Sequence, residues 1–154
     1  MPRLKHAQAP GFASMVTTVT HRRKPYFERP EHAQTLLEAI DYGRTKDWYF
    51  LLAFVIMPEH LHLLLVPKDR PIPACVQAIK GYTARRLNLA LERHGHLWQE
   101  GYFDLLIGEP TKALKRVAYI EANPIRRGLA ETPETYPFSS AARRGQTDFA
   151  VFFG

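Results

Sequence analysis

His60-Leu61-His62 opens an apolar run, and Tyr119 and Asn123 lie much later at helical spacing. Histidines at i and i+2 of a strand point to the same side. A tyrosine and an asparagine at i and i+4 of a helix share a face. Brought together, these four side chains would offer two imidazole nitrogens, an amide oxygen and a phenol. Neutral imidazole binds a divalent metal and leaves it electrophilic toward a phosphate. A tyrosine beside such an ion suits phosphoryl transfer with the phenol as nucleophile. Each residue alone has a plainer role. The histidines can be ordinary hydrogen-bonded strand residues, Tyr119 a core aromatic, and Asn123 a helix cap ordered by Pro124. Glu59 is a candidate auxiliary ligand or base, or a solvated turn carboxylate. His94 and His96 repeat the spacing but flank Gly95, which suits surface contacts better than a rigid ligand pair.

These side chains need a strand, a helix and a frame. Residues 13–20, ASMVTTVT, are rich in β-branched side chains and predict a strand. Residues 31–45 place Ala33, Leu36, Leu37 and Ile40 at near-helical spacing. The apolar runs 48–58 and 60–67 meet at Pro58-Glu59, which predicts an antiparallel hairpin. Residues 72–93 predict the longest helix, with Pro73 in its first turn and Val76, Ile79, Leu87 and Leu91 as its stripe. A fourth strand follows at 102–108. Pro110 opens a helix over 110–122 that ends at Asn123-Pro124. The order β-α-β-β-α-β-α implies an α+β, ferredoxin-like sandwich. Its four-stranded antiparallel sheet would carry helices on one face, and an additional C-terminal helix would bear Tyr119. Residues 1–154 read as a single domain, with a basic arm over 1–11 and an irregular tail over 141–154.

A chain of 154 residues with 45% hydrophobic content can build one core unaided. Its net charge of +6 favours an anionic partner, nucleic acid first. The cations fall in clusters: Arg22 and Arg23, Lys80 with Arg85 and Arg86, Lys115 and Arg116, and Arg126 with Arg127. With Trp98, Tyr26, Phe27 and Tyr102 as stacking platforms they would line a basic groove. Such contacts give phosphate affinity without a base code. Tyr82 lies in a basic stretch and rivals Tyr119 as a phenol, but it sits near the apolar stripe and reads as core or support. The single cysteine, Cys75, excludes an internal disulfide and a thiolate metal cluster and fits a cytoplasmic protein. No GxxxxGK[ST] run is present, so no nucleoside triphosphate is expected. No apolar stretch is long enough to span a membrane, and the N-terminus lacks the pattern of a signal peptide.

MPEHLHLLLVP, LWQEGYFDLLI, YIEANPIRRGL and YPFSS follow one another in this chain. In that order they resemble the REP-associated tyrosine transposases, single-domain relatives of the HUH transposases that move single-stranded DNA. The resemblance covers roughly residues 12–140. It implies that His60 and His62 bind a divalent ion, Mg²⁺ or Mn²⁺, that Asn123 completes the metal site, and that Tyr119 is the nucleophile. It further implies nicking and strand transfer of single-stranded DNA at hairpin-forming repeats, through a 5′-phosphotyrosine and a free 3′-hydroxyl. An unperturbed tyrosine titrates near ~10; positive potential from the metal and from Lys115 or Arg116 would favour its phenolate. A monomer with a cis active site is favoured over a homodimer. The chain departs from the family in one stretch. Relatives are often histidine-rich in the strand after Trp-Gln, whereas Tyr102-Phe103-Asp104 has none. Asp104 is then either an orienting group for a histidine or an exposed strand aspartate. The alternative function is a hairpin-binding protein with a vestigial site; a nuclease without a covalent step is a third.

Overall fold

Strand β3, His60–Pro67, has a neighbour on each side, and the rest of the fold is laid around it. In the computed structural model, which describes residues 12–154, the sheet has four antiparallel strands in the order β2-β3-β1-β4. The expected basic arm over 1–11 lies outside the described residues. Strand β2, Tyr49–Ile56, reaches β3 through Pro58-Glu59, and the Met57 amide donates to the His60 carbonyl at 2.8 Å. Strand β1, Ala13–Val19, pairs with the other side of β3, setting Val19 opposite His60 and Thr17 opposite His62. Strand β4, Phe103–Ile107, closes that edge with Phe103 opposite Thr17.

Helices α1 (Pro30–Thr45) and α2 (Ile72–Ala90) cover one face of the sheet, where Leu36, Ile40, Val76 and Ile79 meet Leu61, Leu63 and Leu65. The additional helix α3 (Pro110–Glu121) covers the opposite face, where Ala113, Val117 and Ile120 meet Val55, Leu64 and Val66. Strands covered on both faces are apolar at every position rather than alternately, which accounts for the unbroken runs in β2 and β3. Alternation along β3 sends His60 and His62 to the α3 side with Leu64. A register slip between Leu51 and Ala53 turns both Leu52 and Ala53 toward α3.

The expected irregular tail over 141–154 is more ordered than its sequence suggests. Ile56 donates to the Phe138 carbonyl, Ser140 to that of Phe54 and Asp148 to that of Leu51, so residues 138–148 cover the outer edge of β2. A short helix, Phe149–Phe153, follows and presses Phe152 against Phe12 and Phe50. The other sheet edge, β4, has no such cover among the described residues. None of the described helices is long and apolar enough to cross a membrane.

Candidate active site

The two imidazoles are buried, with ring centroids 4.7 Å apart. The β1–β3 register puts the Thr17 hydroxyl 2.7 Å from His62 Nδ1. Glu59 Oε1 stands 3.4 Å from His60 Nδ1. Glu59 is itself buried and is held by Arg127 at 2.9 Å and Arg23 at 3.8 Å, so it is no solvated turn carboxylate. Burial alone would raise the Glu59 carboxyl; the Arg127 hydrogen bond and neighbouring charges outweigh it and hold the group below its usual value. With both Nδ1 atoms engaged inside the protein, each ring has Nε2 left to offer a ligand. Burial lowers both imidazoles. For His60 the Glu59 charge opposes that shift. For His62 the neighbouring His60 and Arg126 add to it, and its pKa falls to about 3. A neutral imidazole keeps the lone pair that a metal needs.

Helix α3 is amphipathic and buries Ala113, Val117 and Ile120. Tyr119 stands on its outer side, 44% exposed, with its ring centroid 6.2 Å from that of His62. The Arg126 guanidinium lies 4.3 Å from the tyrosine ring and that of Arg116 5.7 Å. Arg126 also donates to the Tyr119 carbonyl at 2.9 Å. Past α3, Ala122 stays in the helical region (φ −85°, ψ −6°) and the short helix α4, Asn123–Arg126, continues the chain. Asn123 is buried, and its neighbours along this segment bracket it. Tyr119, one turn before, meets His62; Arg127, one turn after, reaches Glu59 beside His60. The amide therefore lies on the stretch of backbone that spans the histidine pair. Glu121 fastens α3 from behind, accepting both guanidinium nitrogens of Arg144 at 2.7 and 2.8 Å and the Ser140 hydroxyl at 2.5 Å.

Two Nε2 atoms, joined by the amide oxygen of Asn123, would make a neutral donor set that suits a divalent cation with open positions for phosphate oxygens. Among the described residues no group of three His, Cys, Asp or Glu side chains is assembled for a metal. A metal at this position would rest on His60, His62 and Asn123.

The remaining sequence candidates divide between the two layers. Arg116, Arg126 and Arg127 gather around Tyr119 and Glu59, and Lys115 lines the adjoining groove. Arg23 reaches Glu59, and Arg22 is exposed beside it. Lys80 instead donates to the carbonyls of Gln99 and Gly101 and braces the connection into β4. Arg85 and Arg86 belong to α2, on the far side of the sheet from Tyr119; Arg85 lines a cavity with Tyr42, Trp48 and Tyr82. The sheet thus splits the expected basic groove in two. Trp98 and Phe27 are buried with their rings 5.3 Å apart and present no free stacking face, and Tyr26 and Tyr102 are partly buried against the same core. Tyr82 is half-buried in that layer, away from the histidines. Asp104 is exposed and pairs with Val16, on the opposite face of β4 from Phe103. Two residues at the site escaped the sequence. Thr17 is one β-branched residue among several, and only strand register sets it against His62. Phe103 is 69% exposed on the α3 side, and only its edge position reveals that.

The family model described as "Transposase IS200 like" matches residues 12–123. ISDra2 transposase TnpA of Deinococcus radiodurans is 36% identical over 70 residues, 41% of this chain and 50% of that protein. A Haemophilus influenzae protein named for the REP-associated tyrosine transposases is 27% identical over 103 residues, 60% of this chain and 58% of that protein. The chain therefore spans little more than half the length of these relatives. A solved REP-associated tyrosine transposase bound to a REP hairpin superposes with a TM-score of 0.73 at 22% identity, covering 100% of this chain and 89% of that one. That likeness is one of fold. A crystal structure from Deinococcus radiodurans, also assigned as a transposase, gives a TM-score of 0.55 at 28% identity over 79% of this chain and 96% of that one. The matched span holds the four candidate residues His60, His62, Tyr119 and Asn123, and the chain belongs to the IS200-like transposase family.

Proposed function

We propose that this protein nicks and transfers single-stranded DNA through a covalent bond to Tyr119. The observation that carries this reading is the approach of the Tyr119 ring to within 6.2 Å of His62, whose Nδ1 is engaged by Thr17 and whose Nε2 is left for a ligand. The Tyr119 oxygen attacks the scissile phosphorus; the bond from phosphorus to the 3′ oxygen breaks. The strand 5′ of the break keeps a 3′-hydroxyl, and the phosphate stays on the tyrosine. The phenol loses its proton and the departing 3′ oxygen gains one. Attack by a 3′-hydroxyl on the phosphotyrosine reverses these bonds, so the phosphodiester energy is conserved and no nucleoside triphosphate is consumed. A divalent ion held by His60, His62 and Asn123 would act as a Lewis acid on the scissile phosphate. Mg²⁺ and Mn²⁺ suit this donor set, and Mn²⁺ should bind tighter because imidazole nitrogen suits it better. Arg126 and Arg116, over the Tyr119 ring, would meet the phosphate as it arrives.

A hairpin-bearing single strand is the favoured substrate, since the fold matches a transposase solved with a REP hairpin. The tyrosine and the histidines meet within one chain, which supports a cis site in a monomer. The test is to incubate labelled single-stranded DNA carrying a hairpin with the protein and Mg²⁺ or Mn²⁺, and then to look for an adduct that survives denaturation. The adduct should vanish in Tyr119→Phe and under chelation. Equal adduct from Tyr119→Phe would refute the assignment. Mixing His60→Ala with Tyr119→Phe should restore nothing; restored cleavage would require shared sites.

A further inference from the structure

Strand β4 leaves an apolar ledge open beside the tyrosine. The register runs from His62 to Thr17 to Phe103 in one row across the sheet, so Phe103 lies two strands from the histidine on the α3 side. Phe103 is 69% exposed, and Leu105, next along the same face, is 44% exposed. Large apolar side chains grouped in solvent beside a reactive centre mark a contact surface. Helix α3 forms the opposite wall. Leu105 and Tyr119 line one groove with Lys112, Lys115 and Arg116, and no carboxylate lines it among the described residues.

We propose that this groove, with the exposed face of β4 that continues from Leu105 to Phe103, binds the unpaired nucleotides adjoining the scissile phosphate, a base lying on Phe103 and Leu105 and the backbone along Lys112, Lys115 and Arg116. The inference rests on Tyr119 acting on single-stranded DNA, as set out above. An aromatic ledge flanked by cations is the arrangement that holds single strands, because every base has a face to stack and every nucleotide a phosphate. A second copy of this chain is the rival occupant, since an open strand edge can pair with another. The cations argue against it: two copies joined edge to edge would bring α3 cations of both chains toward one surface. A polyanion complements that charge. The aromatics that sequence composition offered for stacking, Trp98 and Phe27, are spent on each other in the core, and Phe103 is the exposed one at the site.

The test uses the full chain in EDTA, so that binding is read without cleavage. DNA oligonucleotides with a stem-loop and a single-stranded flank carry 2-aminopurine at one flank position at a time. Wild-type protein should quench the probe at one or two adjacent positions. Phe103→Ala should lose that quench and bind the flank about ten-fold more weakly, while Phe103→Trp restores both. Lys112→Ala with Lys115→Ala should flatten the salt dependence of binding and leave the quench position unchanged. Thermal unfolding of Phe103→Ala should match wild type, since the side chain is exposed. The proposal is overturned if the quench pattern survives Phe103→Ala. It is also overturned if the only effect of that substitution is to convert a dimer to a monomer by light scattering. Failure of wild type to bind any single strand would sink both this subsite and the nucleic-acid reading beneath it, whereas a normal pattern that never leads to an adduct would spare the subsite and sink the chemistry.

Discussion

The two halves of the site are built to opposite specifications. His60 and His62 are buried on an inner strand with each Nδ1 engaged by Glu59 or Thr17. Tyr119 stands nearly half exposed on the outer side of a surface helix, with the guanidinium groups of Arg116 and Arg126 beside its ring. A metal ligand gains from rigidity, because each imidazole must keep one nitrogen aimed at a fixed point. A nucleophile that becomes bonded to a polymer needs room for that polymer to enter and leave. The Arg127–Glu59 pair ties one half to the other, and the Glu121–Arg144 pair fixes the helix from behind.

Breaking the buried half should cost most. His60→Ala or His62→Ala should lower adduct yield by more than ~100-fold, beyond the 10–100-fold typical of groups that only orient a ligand. DNA affinity should change little, since it comes from distributed phosphate contacts. Gel analysis of adduct and a separate binding titration check both. Asn123→Ala should cost less, about 10–100-fold in metal affinity, because water can take the amide's position; calorimetric titration with Mn²⁺ reads it. Thr17→Val sharpens the comparison further. It keeps shape in the strand but removes the hydroxyl beside His62 Nδ1, so metal affinity should fall about ten-fold. Thr17→Ser should retain it. Nitrogen shifts of His62 in the metal-free protein should show Nδ1 protonated in wild type and a mixed tautomer in Thr17→Val.

The smallest effect on chemistry should come from behind α3. Arg144→Ala leaves the buried Glu121 carboxylate with Ser140 alone. Because Arg144 is 39% exposed, the loss should be about 2–3 kcal/mol of stability, below that of a fully buried pair. Urea unfolding measures this, and adduct yield at low temperature should stay within about three-fold of wild type, the helix remaining packed through Val117 and Ile120.

The sequence disclosed the buried half better than the open one. Two apolar runs broken by Pro58-Glu59 can hardly form anything but a hairpin, and the HxH spacing on one of them puts both imidazoles on the same face. The shared face expected of Tyr119 and Asn123 survives because Ala122, between the two helices, keeps helical backbone angles. What depends on neighbours from distant sequence was not legible. Thr17 matters only through its register with His62. Trp98 and Phe103 look alike as aromatics near basic residues. A bridge to Thr20 helps turn the first into the core, while an edge strand leaves the second in solvent. The tail read as irregular because a five-residue helix is too short to show a period, and its contacts are to backbone groups of β2 that carry no sequence signature.

Mass spectrometry of the trapped adduct tests the central claim most directly. Wild-type protein, hairpin-bearing single-stranded DNA and Mn²⁺ would be quenched, digested with protease and nuclease, and the modified peptide sequenced. The expected result is a nucleotide joined through its 5′-phosphate to Tyr119, absent when the ion is chelated and absent in His62→Ala. A phosphate linkage on Tyr82 or another residue, or cleavage of the DNA with no protein-linked nucleotide, would contradict it.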